Sequence, residues 1–383
     1  MGNKAARVSI VVFIDALGWE ILRDRNFLED ELPFRSKLRS VFGFSSACVP
    51  SILTGQLPRG HGHWSFFYHT RGKSPFSPLR LLQWLPKGLT NRGRVRAQIS
   101  KLVKRLYGFK GYFQLYNMPF ELIDKFDYCE KRDLFKRGGM NKGNSIFDHL
   151  ENSDTRYHCS DWREAEETNL GALKDSLEEG NISFAFLYLA SMDALLHQVG
   201  KASHEVDTKL AWYEQRLREI MQLAREHYED VRLFVCSDHG MATVEKTVDI
   251  HSRVAALGLN EGRDYVATYD STMARFWFYS DAARQRIIAL LNNIPEGRIL
   301  PEQELATLGC DFEGHQYGEL IYLLDPGTLL VPSHMGTQPI TGMHGYHPDH
   351  PDSDASLLSN VNPPVQPKCI TDIFHLMRAE AGV

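Results

Sequence analysis

Three short runs are almost continuously apolar: RVSIVVFID (7–15), ISFAFLYLA (182–190) and VRLFVCSD (231–238). A strand with one wet face alternates apolar and polar residues. These runs do not, so they predict strands covered on both faces, as in a parallel sheet flanked by helices. GELIYLLD (318–325) and ARFWFYS (274–280) read the same way. Helical patterns fall between them, a long one over 203–230 and a shorter one over 283–294. Strands alternating with helices predict an α/β fold on a largely parallel sheet.

The 383 residues suffice for one large domain, and no internal repeat divides them. One stretch breaks the rhythm. Residues 64 to about 140 are rich in Pro, Gly, aromatics and base, and read as a cap inserted after the first βα unit. From Leu32 to Phe120 there is no Asp or Glu but fifteen Lys and Arg, leaving 28 of the 43 basic residues against all 48 acidic ones elsewhere. Within it Val95, Ile99, Leu102 and Leu106 recur at helical spacing among Arg94, Arg96, Lys101, Lys104 and Arg105. The first expectation is that this apolar stripe packs on the main domain. The other is that residues 64–113 meet an anionic membrane surface or a polyanion.

No run reaches the roughly 18 apolar residues of a membrane span. The apolar run near the N-terminus meets Asp15 too early for a secretory signal, and Gly2 lacks the Ser or Thr an acylation signal needs where Ala6 stands. The six cysteines form no C-x-x-C pair, against both a thiolate zinc site and a disulfide framework. The expected location is cytoplasmic.

In open α/β sheets ligands bind beyond the carboxyl ends of the strands. The first run ends at Asp15. The second leads into SMDALLHQVG, with Asp193 and His197 one helical turn apart. The third ends in SDHGM, with Asp238 beside His239, and GMHGYHPDHPDSD supplies His344. Asp at a strand end often caps a helix, and a single His is often merely a satisfied polar group. Four such clusters are more than one ion needs. Three Asp and three His suit two divalent ions, the arrangement that serves displacement at phosphorus.

In these residues the chain resembles the alkaline phosphatase superfamily, and most of all its nucleotide pyrophosphatase/phosphodiesterase branch. SDHGM, MDALLHQVG, GMHGYHP and LTGQLPRGHG follow that family's order from Asp15 to His344. The resemblance implies a three-layer α/β/α sandwich formed by residues 1–383. It implies one ion on Asp193, His197 and His344 and another on Asp15, Asp238 and His239, usually Zn2+, with Mn2+ or Mg2+ in some branches.

FSSACVPSILTG (44–55) offers three nucleophiles: Ser45, Ser46 and Cys48. The superfamily's attacking residue stands nine positions before the Thr of its Thr-Gly signature, which from Thr54 points to Ser45. Ser46 becomes a phosphate neighbour. Cys48 sits in a sulfatase-like CVPS, but three residues too close to Thr54, and Ile52 replaces the Arg expected after Ser51. The branch's phosphate-binding Asn after His-Gly is missing from HGHWSFFYHTR, where Ser65, His63 and Arg71 stand instead. The expectation is a phosphodiesterase-like phosphohydrolase acting on an anionic phosphate ester through a phosphoseryl intermediate, with Ser65 and Arg71 contacting substrate. The alternatives are a phosphomonoesterase, a phosphotransferase or mutase, a sulfatase using Cys48, and a non-catalytic anion-binding module. Nothing in the sequence speaks to the oligomeric state.

Overall fold

The computed structural model describes residues 4–383, so Gly2 lies outside the described residues. Its main sheet contains β1 (Ala5–Ile14), β2 (Phe34–Leu38), β3 (Tyr157–Cys159), β4 (Phe184–Leu189) and β5 (Tyr228–Cys236). A second sheet follows, made of β6 (Tyr265–Tyr269), β7 (Met273–Phe278), β8 (Gly297–Ile299) and β9 (Leu320–Leu324). β10 (Ala355–Ser359) then returns to the first. The main sheet runs β2-β10-β5-β1-β4-β3. β1 is parallel to β4 and β5, β3 is parallel to β4, and β10 is antiparallel to both its neighbours.

Side-chain alternation along β1 makes two cores. Val11 and Phe13 face one, with helix α1 (Ser45–Thr54) and the C-terminal helix (Asp372–Ala381). Val8, Ile10, Val12 and Ile14 face the other, under the helices Glu166–Glu178 and His204–His227. Helix, sheet and helix therefore form three layers. Burying each such aliphatic side chain stabilises this arrangement by ~1.5–3 kcal/mol.

The runs 274–280 and 318–325 correct the parallel-strand expectation. They form β7 and β9, which pair antiparallel in the second sheet. A continuously apolar run reports burial on both faces, not strand direction.

Residues 64–140 carry little regular structure: a short antiparallel pair (Phe67–His69 with Phe126–Tyr128), a 3-10 stretch (Ser77–Trp84), helix α2 (Gly93–Tyr107) and two single turns, Lys87–Thr90 and Ile123–Lys125. They share an apolar cluster containing Phe76, Val103, Phe113 and Tyr128, packed on Val266 and Trp277 of the second sheet. The expected packing of the α2 stripe is met by Ile99, which joins this cluster, and not by its two leucines. The helix buries Arg96, Ser100 and Val103, while Leu102 and Leu106 are exposed. Arg96 faces inward because its guanidinium serves the carbonyls of Thr90, Tyr116 and Met118.

Arg275 on β7 ties the second sheet to residues 65–67. It is fully buried, lies 2.7 Å from Asp270, and donates to Ser65 Oγ and to the carbonyls of Phe67 and Tyr317. Arg275→Met is expected to destabilise by ~3–5 kcal/mol, because Asp270 is left as an unpaired buried charge. Adding Asp270→Asn should recover part of that loss in urea denaturation. Equal stability of Arg275→Met and wild type would show that the pair holds nothing together.

Candidate active site

The strand ends build the site. After β1 the Asp15 amide donates to Leu189 O, and Ala16 adopts a left-handed conformation (φ 62°) that aims its own amide at Asp238 Oδ1, 3.2 Å away. The Gly in SDHGM has a steric reason. A Cβ on Gly240 would lie 2.5 Å from Asp352 O, and one on Gly18 only 2.2 Å from Gly240 Cα. The two loops meet at a distance only glycine permits. Asp193 and His197 project from the helix Ser191–Val199, one turn apart.

The six side chains fall into two groups, Asp193/His197/His344 and Asp15/Asp238/His239. Within each, one ligand atom per residue lies within 4.8 Å of the others. His197 Nδ1 donates to Gly342 O (2.8 Å) and His239 Nδ1 to Gly240 O (3.0 Å). A carbonyl can only accept, so both protons sit on Nδ1 and each Nε2 is turned inward. The His239 and His344 rings stack at 3.8 Å.

These side chains fit a cation. Asp15 Oδ1, Asp193 Oδ1, Asp238 Oδ2 and His344 Nδ1 are buried without a hydrogen-bond partner. Burial, then Asp238 and Asp193, pushes the Asp15 carboxyl well up, and burial lifts Asp238 to about 7. His344 is pushed well down by burial and by His239. Among the described residues the only cationic groups beside these carboxylates are the histidines themselves: Asp193 Oδ1 lies 3.3 Å from His197 Nε2 and Asp238 Oδ2 lies 3.2 Å from His239 Nε2. Against the effect of burial, the contact with His197 holds Asp193 well below the usual carboxylate range.

Helix α1 begins at Ser45, whose Oγ lies 3.1 Å from His239 Nε2. Its N-terminus adds unpaired amides and the positive dipole end. Ser46 also lines the cavity above Ser45, and its Oγ donates to Trp64 O at 2.8 Å. Cys48 is fully buried in the core with its thiol pushed well up by burial, so the sulfatase alternative has no thiol at the site. His61 and His63 are buried, bonded to Ser51 and to Asn141 N and Cys129.

A cavity of about 520 Å³ opens above Ser45, Asp15, Asp193 and His344. Ser65 lines it, and its Oγ accepts from Arg275 Nη2. Arg71 does not line it. Of this segment only Ser65 and Phe66 reach the wall, and Arg71 is exposed. No asparagine lines the cavity among the described residues.

The rest of the wall went unnoticed in the sequence. Phe66, Tyr112, Tyr116 and Trp162 line it, with Phe66 stacked on Tyr116 at 5.8 Å and the Tyr112 and Tyr116 hydroxyls 2.8 Å apart. The aromatic run GYFQLYN (111–117) was the available signal. Glu130, buried in the same wall, gave none.

The family model for type I phosphodiesterase / nucleotide pyrophosphatase matches residues 9–347. The chain belongs to that family. No curated protein matches it. Among solved structures it is similar to murine and human ectonucleotide pyrophosphatase / phosphodiesterase 5, at 13% and 12% identity and TM-score 0.70, covering 98% of this chain and 95% of each of those. An inactive form of the murine protein in complex with AMP matches at 14% identity and TM-score 0.68, with the same coverage. At such identity the likeness shows a shared fold. Family membership makes this chain a phosphoester hydrolase of a metal-dependent type.

Burial raises the Glu130 carboxyl from 4.5 to about 8. The folded protein therefore keeps a proton that the unfolded chain releases. This costs nothing below the unfolded value, and the cost grows as pH rises towards about 8. Glu130→Gln is expected to flatten the fall in stability between about pH 5 and about pH 8, read from urea midpoints at several pH values. An unchanged slope would mean that Glu130 ionises freely.

Proposed function

We propose that this phosphodiesterase-family chain hydrolyses a phosphodiester by attack of Ser45 Oγ on phosphorus. The observation that carries the reading is the convergence of two Asp/His triads beside Ser45 Oγ, with three carboxylate oxygens left unpartnered. Asp193, His197 and His344 would hold one divalent ion and Asp15, Asp238 and His239 a second, with zinc suited to this nitrogen and oxygen donor set. Bound there, the pair supplies positive charge to the attacking and leaving oxygens.

The chain's own groups do the rest. The Ser45 Oγ–phosphorus bond forms as the bond to the leaving oxygen breaks, and water then cleaves the phosphoseryl ester. The N-terminus of α1 orients the phosphate. Because Ser65 Oγ already accepts from Arg275, its own O–H is free to donate to a phosphate oxygen, the task the missing asparagine would have had. Residues 64–140 act as the cap that walls the entrance.

Phe66, Tyr112, Tyr116 and Trp162 offer planar faces, and Glu130 offers a carboxyl. That lining suits a nucleoside that stays esterified to the transferred phosphate, a planar ring edged with polar nitrogens. The AMP complex of the structural relative supports this choice. Six free cysteines support a reducing, cytoplasmic setting.

Turnover of bis-p-nitrophenyl phosphate is expected to exceed that of p-nitrophenyl phosphate. Ser45→Ala should lower it by about 10³-fold or more while bound metal stays unchanged. Full activity in Ser45→Ala would sink the assignment, and a preference for the monoester would replace the diester reading. Dialysis against a chelator should abolish turnover and lower the melting temperature, since the crowded carboxylates lose their counter-charge, and added zinc should restore both. A melting temperature indifferent to chelation would argue against bound metal in the folded protein.

A further inference from the structure

The outer surface of residues 77–107 combines two features seldom left open to water. Leu81 is 72% exposed, Trp84 81%, Leu102 57% and Leu106 72%, with Leu85 and Tyr107 also exposed. Both parent elements also send apolar residues into one shared cluster, Leu79 and Leu82 from the 3-10 stretch and Ile99 and Val103 from α2. The outward residues are thus surplus to the core. A large exposed apolar group of this kind marks a docking surface.

Charge selects the occupant. Arg94, Lys101 and Arg105 are exposed on α2, spaced seven and four residues apart and so in line along the helix. Leu102 and Leu106 stand one position further on and form the adjoining line. Among the described residues none of these three cations has an acidic partner, whereas Arg80 of the 3-10 stretch is paired with Asp124 at 2.9 Å.

We propose that α2 docks on an anionic lipid bilayer, with Leu102 and Leu106 entering the interface and Arg94, Lys101 and Arg105 on the headgroups. A helix with a basic line beside an apolar line binds in this way, through apolar burial and attraction to anionic lipid together. A globular protein partner would be expected to offer acidic residues at fixed positions. A bilayer accepts a line of cations without fixed geometry. The inward side of the same helix reaches the cavity wall, since Arg96 donates to Tyr116 O and Ser100 Oγ accepts from Leu115 N. Docking would therefore place the cavity wall beside the lipid surface. This inference rests on the outer face of α2 and does not depend on the reading of Ser45.

The test is co-sedimentation of the full chain with vesicles of phosphatidylcholine, with and without phosphatidylglycerol. Wild type is expected to pellet with the anionic vesicles alone and to be released by salt. Leu102→Gln with Leu106→Gln, and separately Arg94→Gln with Lys101→Gln and Arg105→Gln, should each weaken binding by roughly tenfold or more. Both variants should keep wild-type turnover of a small soluble diester and wild-type melting, because every altered side chain is exposed and outside the cavity lining. Absence of binding, or equal binding to neutral vesicles, would overturn the proposal. So would binding to RNA in preference to vesicles, or a wild-type dimer in sedimentation equilibrium that Leu102→Gln with Leu106→Gln makes monomeric.

Discussion

Everything in this molecule is arranged around like charges held together out of water. Asp15, Asp193 and Asp238 converge from three strand ends, each with an oxygen that no protein group satisfies. Desolvating a carboxylate costs several kcal/mol, and mutual repulsion adds to it. A chain does not keep such a cluster for stability. It is kept because the parallel sheet brings strand ends together at one edge, and because Gly18 and Gly240 let two loops approach to contact distance. The burial and crowding that raise Asp15 and Asp238 would be relieved by positive charge placed between them.

The second sheet and the irregular segment turn that cluster into a pocket. Arg275 is the main fastening. It neutralises Asp270, holds the carbonyls of Phe67 and Tyr317, and sets the hydrogen-bond polarity of Ser65 at the cavity wall. Arg96 does the same for the Tyr112–Tyr116 wall, through carbonyls rather than a carboxylate. In both cases a buried cation shapes a loop that hydrophobic packing alone would leave undefined.

This division explains what could be read from the sequence. Strand ends and the Asp193–His197 turn are local patterns, so the elements carrying the six Asp and His residues were visible, as was the start of α1 at Ser45. β7 and β9 were visible as strands but not as antiparallel, because pairing direction depends on residues distant in the chain. Of the stripe Val95–Ile99–Leu102–Leu106 only Ile99 joins the cluster while Leu102 and Leu106 face out, because helical spacing cannot foresee that Arg96 and Ser100 are needed inside for backbone hydrogen bonds. Glu130 and Arg275 left no local mark. Each is defined by partners or surroundings contributed by distant segments.

Helix α2 buries an arginine and exposes two leucines. A helix normally turns its leucines inward and its arginines outward, because burying an unpaired guanidinium is costly. Here Arg96 is inside, with three carbonyls and the Phe120 ring about it, and Leu102 and Leu106 are outside. The buried arginine is tolerable because its donors are filled. The exposed leucines have no such compensation in water and gain it only against an apolar phase. The two faces of α2 therefore answer to different surroundings, the inner to the cavity wall and the outer to whatever covers it. An apolar line beside a basic line matches the boundary of an anionic bilayer better than it matches water.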